Sequence, residues 1–145
     1  MAAFTFIDAF KQRLGDGEID LTTTTGHVFK LVLSATTPNV DTMDDLVDVT
    51  IIGATGGYAA ITVTHAWAET SAGTGIWRFA AGADPVWTAS GGNFDAFRYV
   101  YLYDDTHAAD ALVGYWDYGG TVNLTDTNTF TLNLDANFEI FTLDG

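Results

Sequence analysis

The chain has 145 residues, 48% hydrophobic and 14% aromatic, with no cysteine, which suits one domain over residues 1–145 and excludes a disulfide framework or thiolate metal site. Five basic residues (Lys11, Arg13, Lys30, Arg78, Arg98) against 19 acidic ones give a formal net charge of −14, a field that opposes nucleic-acid phosphates and anionic lipid surfaces. No run of about 18 apolar residues exists to span a bilayer, and Met1–Asp8 lacks the basic start of a secretory leader, so the expectation is a soluble protein made in a cytoplasm, with neither nucleic acid nor membrane as partner.

Phe4, Ile7, Phe10 and Leu14 recur at helical spacing ahead of Gly15, which predicts a short amphipathic helix over residues 5–14. A helix of about ten residues is too short to stand alone in water. Its apolar stripe must dock either on its own domain or on a neighbouring subunit. These four side chains are therefore the candidate assembly contacts.

From Asp16-Gly17 onward the period changes to two. Phe29, Leu31 and Leu33 alternate with Val28, Lys30 and Val32 in a first strand that Pro38-Asn39 ends. A loop or brief helix is expected over residues 41–49, with Thr42 and Asp45 as a weak capping pair. Ile61, Val63, His65 and Trp67 predict one face of a second strand, Trp77 and Phe79 a third, and Trp87 lies near a turn. In Phe97–Tyr103 four aromatic residues share a face; Leu112–Tyr118, Thr129–Leu134 and Glu139–Leu143 complete the set. Turn residues separate these runs, Gly91-Gly92-Asn93 and Gly119-Gly120 among them. The fold class is mainly β: a single-domain antiparallel β-sandwich, jelly-roll-like, with a short N-terminal helix. The expected core includes Phe29, Leu31, Leu33, Ile61, Val63, Trp116, Phe130 and Leu132. Tyr99 and Val100 point opposite ways, so both are buried only if both sheet faces are covered.

None of the polar clusters defines a catalytic site. His27, His65 and His107 are roughly forty residues apart and lack a metal-ligand spacing. His65, on an apolar face, reads as a hydrogen-bonded core or edge histidine, and the other two as solvated. Asp16, Glu18 and Asp20 alternate as in a calcium loop, but Leu21 and His27 stand where an EF-hand needs Gly and Glu. Asp104, Asp105, His107 and Asp110 could in principle serve acid–base chemistry or hold a metal; their place between two strands fits turn chemistry better. Gly53–Gly57 lacks the Lys-Ser/Thr of a phosphate loop, and Ser90 is not in a nucleophile elbow. Trp116-Asp117-Tyr118 could stack on a sugar, though core packing is the simpler reading. No catalytic residue, cofactor or metal is expected.

In order along nearly the whole chain, the landmarks are Leu14–Leu21, Phe29–Leu33, Thr37-Pro38, Gly57-Tyr58, Trp87–Ser90, Arg98–Tyr103, Asp110–Gly119 and Phe130–Leu132. Together they resemble a family of small structural proteins of tailed-bacteriophage particles. The chain departs from that pattern at Thr50–Gly53, where the family usually carries a Glu before the Gly-Tyr element. The resemblance implies a non-enzymatic virion component, a capsid decoration (cement) protein. Such a protein would sit on the capsid surface, bind the major capsid protein and self-associate, with a trimer favoured. A tail component that meets the host is the alternative.

Overall fold

The two longest strands arise from the segments richest in alternating aromatic and aliphatic residues, Phe97–Asp104 and Ala111–Val122. The computed structural model describes residues 3–23 and 25–144. In chain order the elements are β1 (Thr5–Phe6), α1 (Asp8–Gly15), β2 (Phe29–Ser34), β3 (Ile61–Val63), β4 (His65–Glu69), β5 (Ile76–Ala81), β6 (Val86–Thr88), β7 (Phe97–Asp104), β8 (Ala111–Val122), β9 (Thr129–Thr131) and β10 (Glu139–Asp144). They form a five-stranded sheet ordered β1-β8-β7-β2-β3, a three-stranded sheet β10-β5-β4 and a β6-β9 ribbon. Their pairings are antiparallel. The fold is thus mainly β with one short N-terminal helix, in an open sandwich arrangement.

An aromatic seam joins the two larger sheets. Phe29 of β2 meets Phe79 of β5 edge-on at 5.0 Å, and Phe79 stacks on Phe141 of β10 at 5.0 Å. Phe10 of α1 closes the seam against Phe141 at 5.7 Å. Phe130 of β9 packs edge-on against Phe97 at 4.9 Å, fastening the ribbon to β7. Offset and edge-on geometries bring the positive ring edges to the negative faces, which adds about 1 kcal/mol per pair to the burial term.

The five-stranded sheet is covered on both sides. Phe29, Leu31, Leu33, Val100 and Leu102 face the seam. Val32, Tyr99, Tyr101, Tyr103 and Leu112 face a second core closed by Ile7, Met43 and Val49. Tyr99 and Val100 are therefore both buried. The cover comes from the segment after Pro38, which contains a short 3₁₀ turn at Leu46–Asp48. Its capping carboxylate is Asp48, which accepts the Asp44 and Asp45 N–H groups at 2.9 and 3.2 Å. Thr42 does not take the expected role.

Several boundaries differ from the sequence expectation. The predicted helix over 5–14 starts only at Asp8, because Thr5 and Phe6 pair with Tyr115 and Gly114 as an edge strand. Ile7 remains extended, at φ −81° and ψ 138°. The run Ile61–Trp67 is not one strand. It breaks at Thr64, and its halves join different sheets: Val63 pairs with Phe29, His65 with Ala81. Ile61 is consequently only half-buried. Trp87, expected near a turn, lies within the three-residue β6, paired with Phe130. Gly119 and Gly120 continue β8 where a turn was expected. The ninth strand ends at Thr131, since the Leu132 N–H already turns to the Pro85 carbonyl at 2.9 Å.

Candidate functional site

The segment from Glu18 to His27, between α1 and β2, is held by all three histidines of the chain. His27 places Nδ1 on the Asp104 carboxylate. His107 reaches Glu18 Oε2 through Nε2 at 3.3 Å. His65 Nε2 lies 3.2 Å from both the Leu21 and Thr22 carbonyls, while its ring stacks on Phe79 at 4.8 Å. The half-buried role expected of His65 is what the structure shows. His27 and His107 are not solvated as expected: their side chains are 23% and 16% exposed, each against a carboxylate.

Asp104, the last residue of β7, is fully buried. Its Oδ1 accepts the N–H groups of Thr106 and His107 at 3.0 and 3.2 Å, and Oδ2 receives His27. A carboxylate only accepts, so the Nδ1–H of His27 is the donor in this contact. An Asp–His dyad of this kind is half of a nucleophile-activating arrangement. Among the described residues, no hydroxyl is hydrogen-bonded to His27 Nε2, and the nearby Thr106 Oγ1 accepts the Val28 N–H at 2.8 Å. The other two aspartates of the Asp104–Asp110 cluster are held in different ways. Asp105 pairs with Lys30 at 2.8 Å. Asp110 sits in a left-handed turn at φ 53°, its carbonyl accepting the Leu46 N–H at 2.9 Å.

The carboxylates at Asp16, Glu18 and Asp20 do not converge, and the latter two have separate partners. Glu18 turns to His107 and, at 3.8 Å, Arg13. Asp20 accepts the Thr22 N–H at 2.9 Å, a bond that holds its carboxyl below the usual range. Among the described residues, no group of three or more His, Asp or Glu side chains is arranged to hold a metal. The glycine-rich segment at Gly53 serves as a turn: Asp95 accepts the Gly53 N–H at 3.0 Å. Trp116 is buried in the core against Phe4 at 4.7 Å. Asp117 receives Arg98 in a fork at 2.8 and 2.9 Å, which holds its carboxyl low and the guanidinium high. Of the two aromatic residues in this run only Tyr118 is exposed.

Phe4, Ile7, Phe10 and Leu14 all pack on this chain's own core; Ile7 and Phe10 are fully buried, Phe4 and Leu14 partly. Phe6, in the same segment, stacks on Phe10 at 5.3 Å.

One feature escaped the periodicity argument. Beyond the aromatic seam, the inner face of β4 and β5 overhangs the core and carries Trp67 stacked on Trp77 at 5.6 Å. Trp77 is 42% exposed. An open cleft of about 410 Å³ runs between Trp67 and Leu143 on one side and Leu14, Ile19 and Leu21 on the other, with Asp20 and Thr22 also lining it. The hairpin beside it is tied by Glu69, whose carboxylate accepts the Gly73 and Gly75 N–H groups at 3.0 and 2.7 Å. The sequence shows two Trp flanking a Gly-rich turn, and the hairpin register, with Trp67 opposite Phe79 and Glu69 opposite Trp77, makes them diagonal neighbours.

The fold and these sites define a small antiparallel β domain whose polar clusters stitch loops together. Comparison with protein-family models, curated proteins and solved structures finds no match.

Proposed function

We propose that this chain is a non-enzymatic structural component of a tailed-bacteriophage particle, a decoration protein bound to the major capsid protein on the outer head lattice as a homotrimer. The observation that carries the reading is how the resemblance landmarks meet in the fold. Phe29–Leu33, Arg98–Tyr103 and Asp110–Gly119 fall on the adjacent strands β2, β7 and β8. Tyr58 Oη accepts the Leu33 N–H at 2.9 Å, and Trp87 pairs with Phe130. Landmarks far apart in sequence thus form one scaffold, as expected if they specify a shared fold. The engagement of Asp104, Asp105 and His27 in holding loops favours a structural role over hydrolysis. The acidic surface, at −14 overall, suits a protein crowded on a lattice.

Copy number in purified particles tests this. Hundreds per particle, with rebinding to stripped heads and a trimer mass in solution, are the expected outcome. A handful per particle would move the chain to the tail, a reading favoured by the exposed Trp77, stacked on Trp67, as a host-contact surface. Absence from purified particles would overturn both.

A further inference from the structure

We propose that the cleft between Trp67 and the Leu14–Leu21 segment is a docking site for a polypeptide that presents an arginine or lysine side chain. The inference stands apart from where in a particle the chain sits, and from whether it belongs to one.

The cleft has three chemical parts. Its floor is apolar, made by Leu14, Ile19 and Leu143, and matches the methylene stem of a long cationic side chain, which covers apolar surface while its head stays polar. Its wall is the Trp67 indole, extended past the mouth by the half-exposed Trp77. Indole faces carry negative potential and attract a guanidinium or ammonium, Arg more often than Lys. At the lining stands the ionised Asp20 carboxylate.

Charge complementarity selects among occupants. None of the residues lining the cleft is basic, and the molecule carries −14 overall. An anionic ligand is repelled at long and short range, whereas a basic segment is steered in. A sugar ring could stack on the indole, but it would gain nothing from the charge. The volume of about 410 Å³ lies at the small end of ligand sites, the size of one or two side chains.

The full chain is titrated with acetyl-Gly-Arg-Gly-amide and with the same peptide carrying citrulline, an uncharged isostere. Binding is read from Trp fluorescence and from the indole N–H resonances; Trp87 and Trp116 are buried and serve as internal references. The arginine peptide is expected to bind at least about tenfold more tightly than its citrulline counterpart, and to weaken as salt rises. Trp77→Ala and Asp20→Asn should each reduce affinity roughly three- to tenfold. Val47→Ala, at an 88% exposed position outside the cleft lining, should leave it unchanged. Equal binding of the two peptides, or no saturable binding of either, overturns the proposal. So does undiminished affinity in both cleft variants with their folds intact. Binding of maltose in place of the arginine peptide would assign the cleft to a glycan.

Discussion

His27 and Asp104, 77 residues apart in the chain, meet inside the fold, the imidazole closing the last open side of a fully buried carboxylate. The contact joins the segment before β2 to the end of β7. Two backbone amides share the same carboxylate, so it organises three groups at once.

That sharing sets an order among substitutions. Asp104→Ala strands the Thr106 and His107 N–H groups and His27 Nδ1, and should cost about 3–5 kcal/mol. Asp104→Asn keeps an oxygen for the two amides and should cost less, about 1–2 kcal/mol. His27→Ala should fall between them, because it leaves a buried charge short of one donor. Urea unfolding of the three variants checks the order; an Asn variant as unstable as the Ala variant would contradict it.

The N-terminal segment supplies a second test. Phe10 is fully buried, and its ring touches Phe6 and Phe141. Phe10→Ala should destabilise by about 3–5 kcal/mol, the range for emptying a buried aromatic site. Deleting residues 1–14 removes Ile7 as well, uncovering Val32 and Tyr101, so the truncated chain should fail to fold. A truncated protein with normal melting would show that these side chains serve a neighbouring subunit instead.

Strand content was legible wherever alternation was long and the partners were apolar, as in Phe97–Tyr103. Periodicity alone could not see that Thr64 divides one alternating run between two sheets, because the pattern continues unbroken through the bend. It also misread Gly119-Gly120, since a glycine pair near a sheet edge can extend a strand as well as turn it. The expectation of a solvated His27 failed for a different reason. Its partner lies 77 positions away, and pairing over that distance depends on topology. Asp104 carried a weak local hint, an acid closing a strand of otherwise apolar and aromatic pattern. The Trp67–Trp77 pair required the hairpin register before its diagonal contact could be known.

Close approach of chains gives a third prediction. Gly114 in β8 lies where β1 crosses, and a Cβ there would stand 2.4 Å from both the Thr5 carbonyl oxygen and the Phe4 ring. Both neighbours must move, so Gly114→Ala should detach β1 while leaving the β7–β8 pairing in place. Overpacking of this kind costs about 1–3 kcal/mol. Hydrogen exchange should report faster exchange at residues near Thr5 and Phe6, with the amides of β7 still protected. Uniform loss of protection would mean that the short edge strand is integral to the whole sheet.

The pH limits of stability follow from groups on opposite sides of neutrality. Asp117 is held low by the Arg98 fork, Asp20 by the Thr22 N–H, Asp135 by the Glu139 N–H, and Glu69 by the Gly75 and Gly73 amides. Each folded-state value lies below its unfolded one, so the stability they add is present above about pH 4 and disappears as pH falls through the lowered values. The tyrosines act in reverse. Burial, aided by Asp105 and Asp110, pushes Tyr103 up to about 12, and burial also raises Tyr101 and Tyr58. A raised value means that the neutral phenol is favoured in the fold. Its contribution is complete below the unfolded value of about 10 and is lost as pH climbs through about 12. Absorbance at 295 nm, followed together with circular dichroism, should therefore show Tyr58, Tyr101 and Tyr103 ionising only with unfolding. Tyr101→Phe provides the control: it removes a phenol whose hydroxyl donates to the Thr36 carbonyl at 2.7 Å. It should cost about 1 kcal/mol at pH 7 and narrow the stability gap to the parent protein as the solution becomes alkaline. If Tyr101 and Tyr103 ionise near pH 10 while the dichroism is unchanged, the second core behind Val32 is open to water and the two-sided cover of the sheet is wrong.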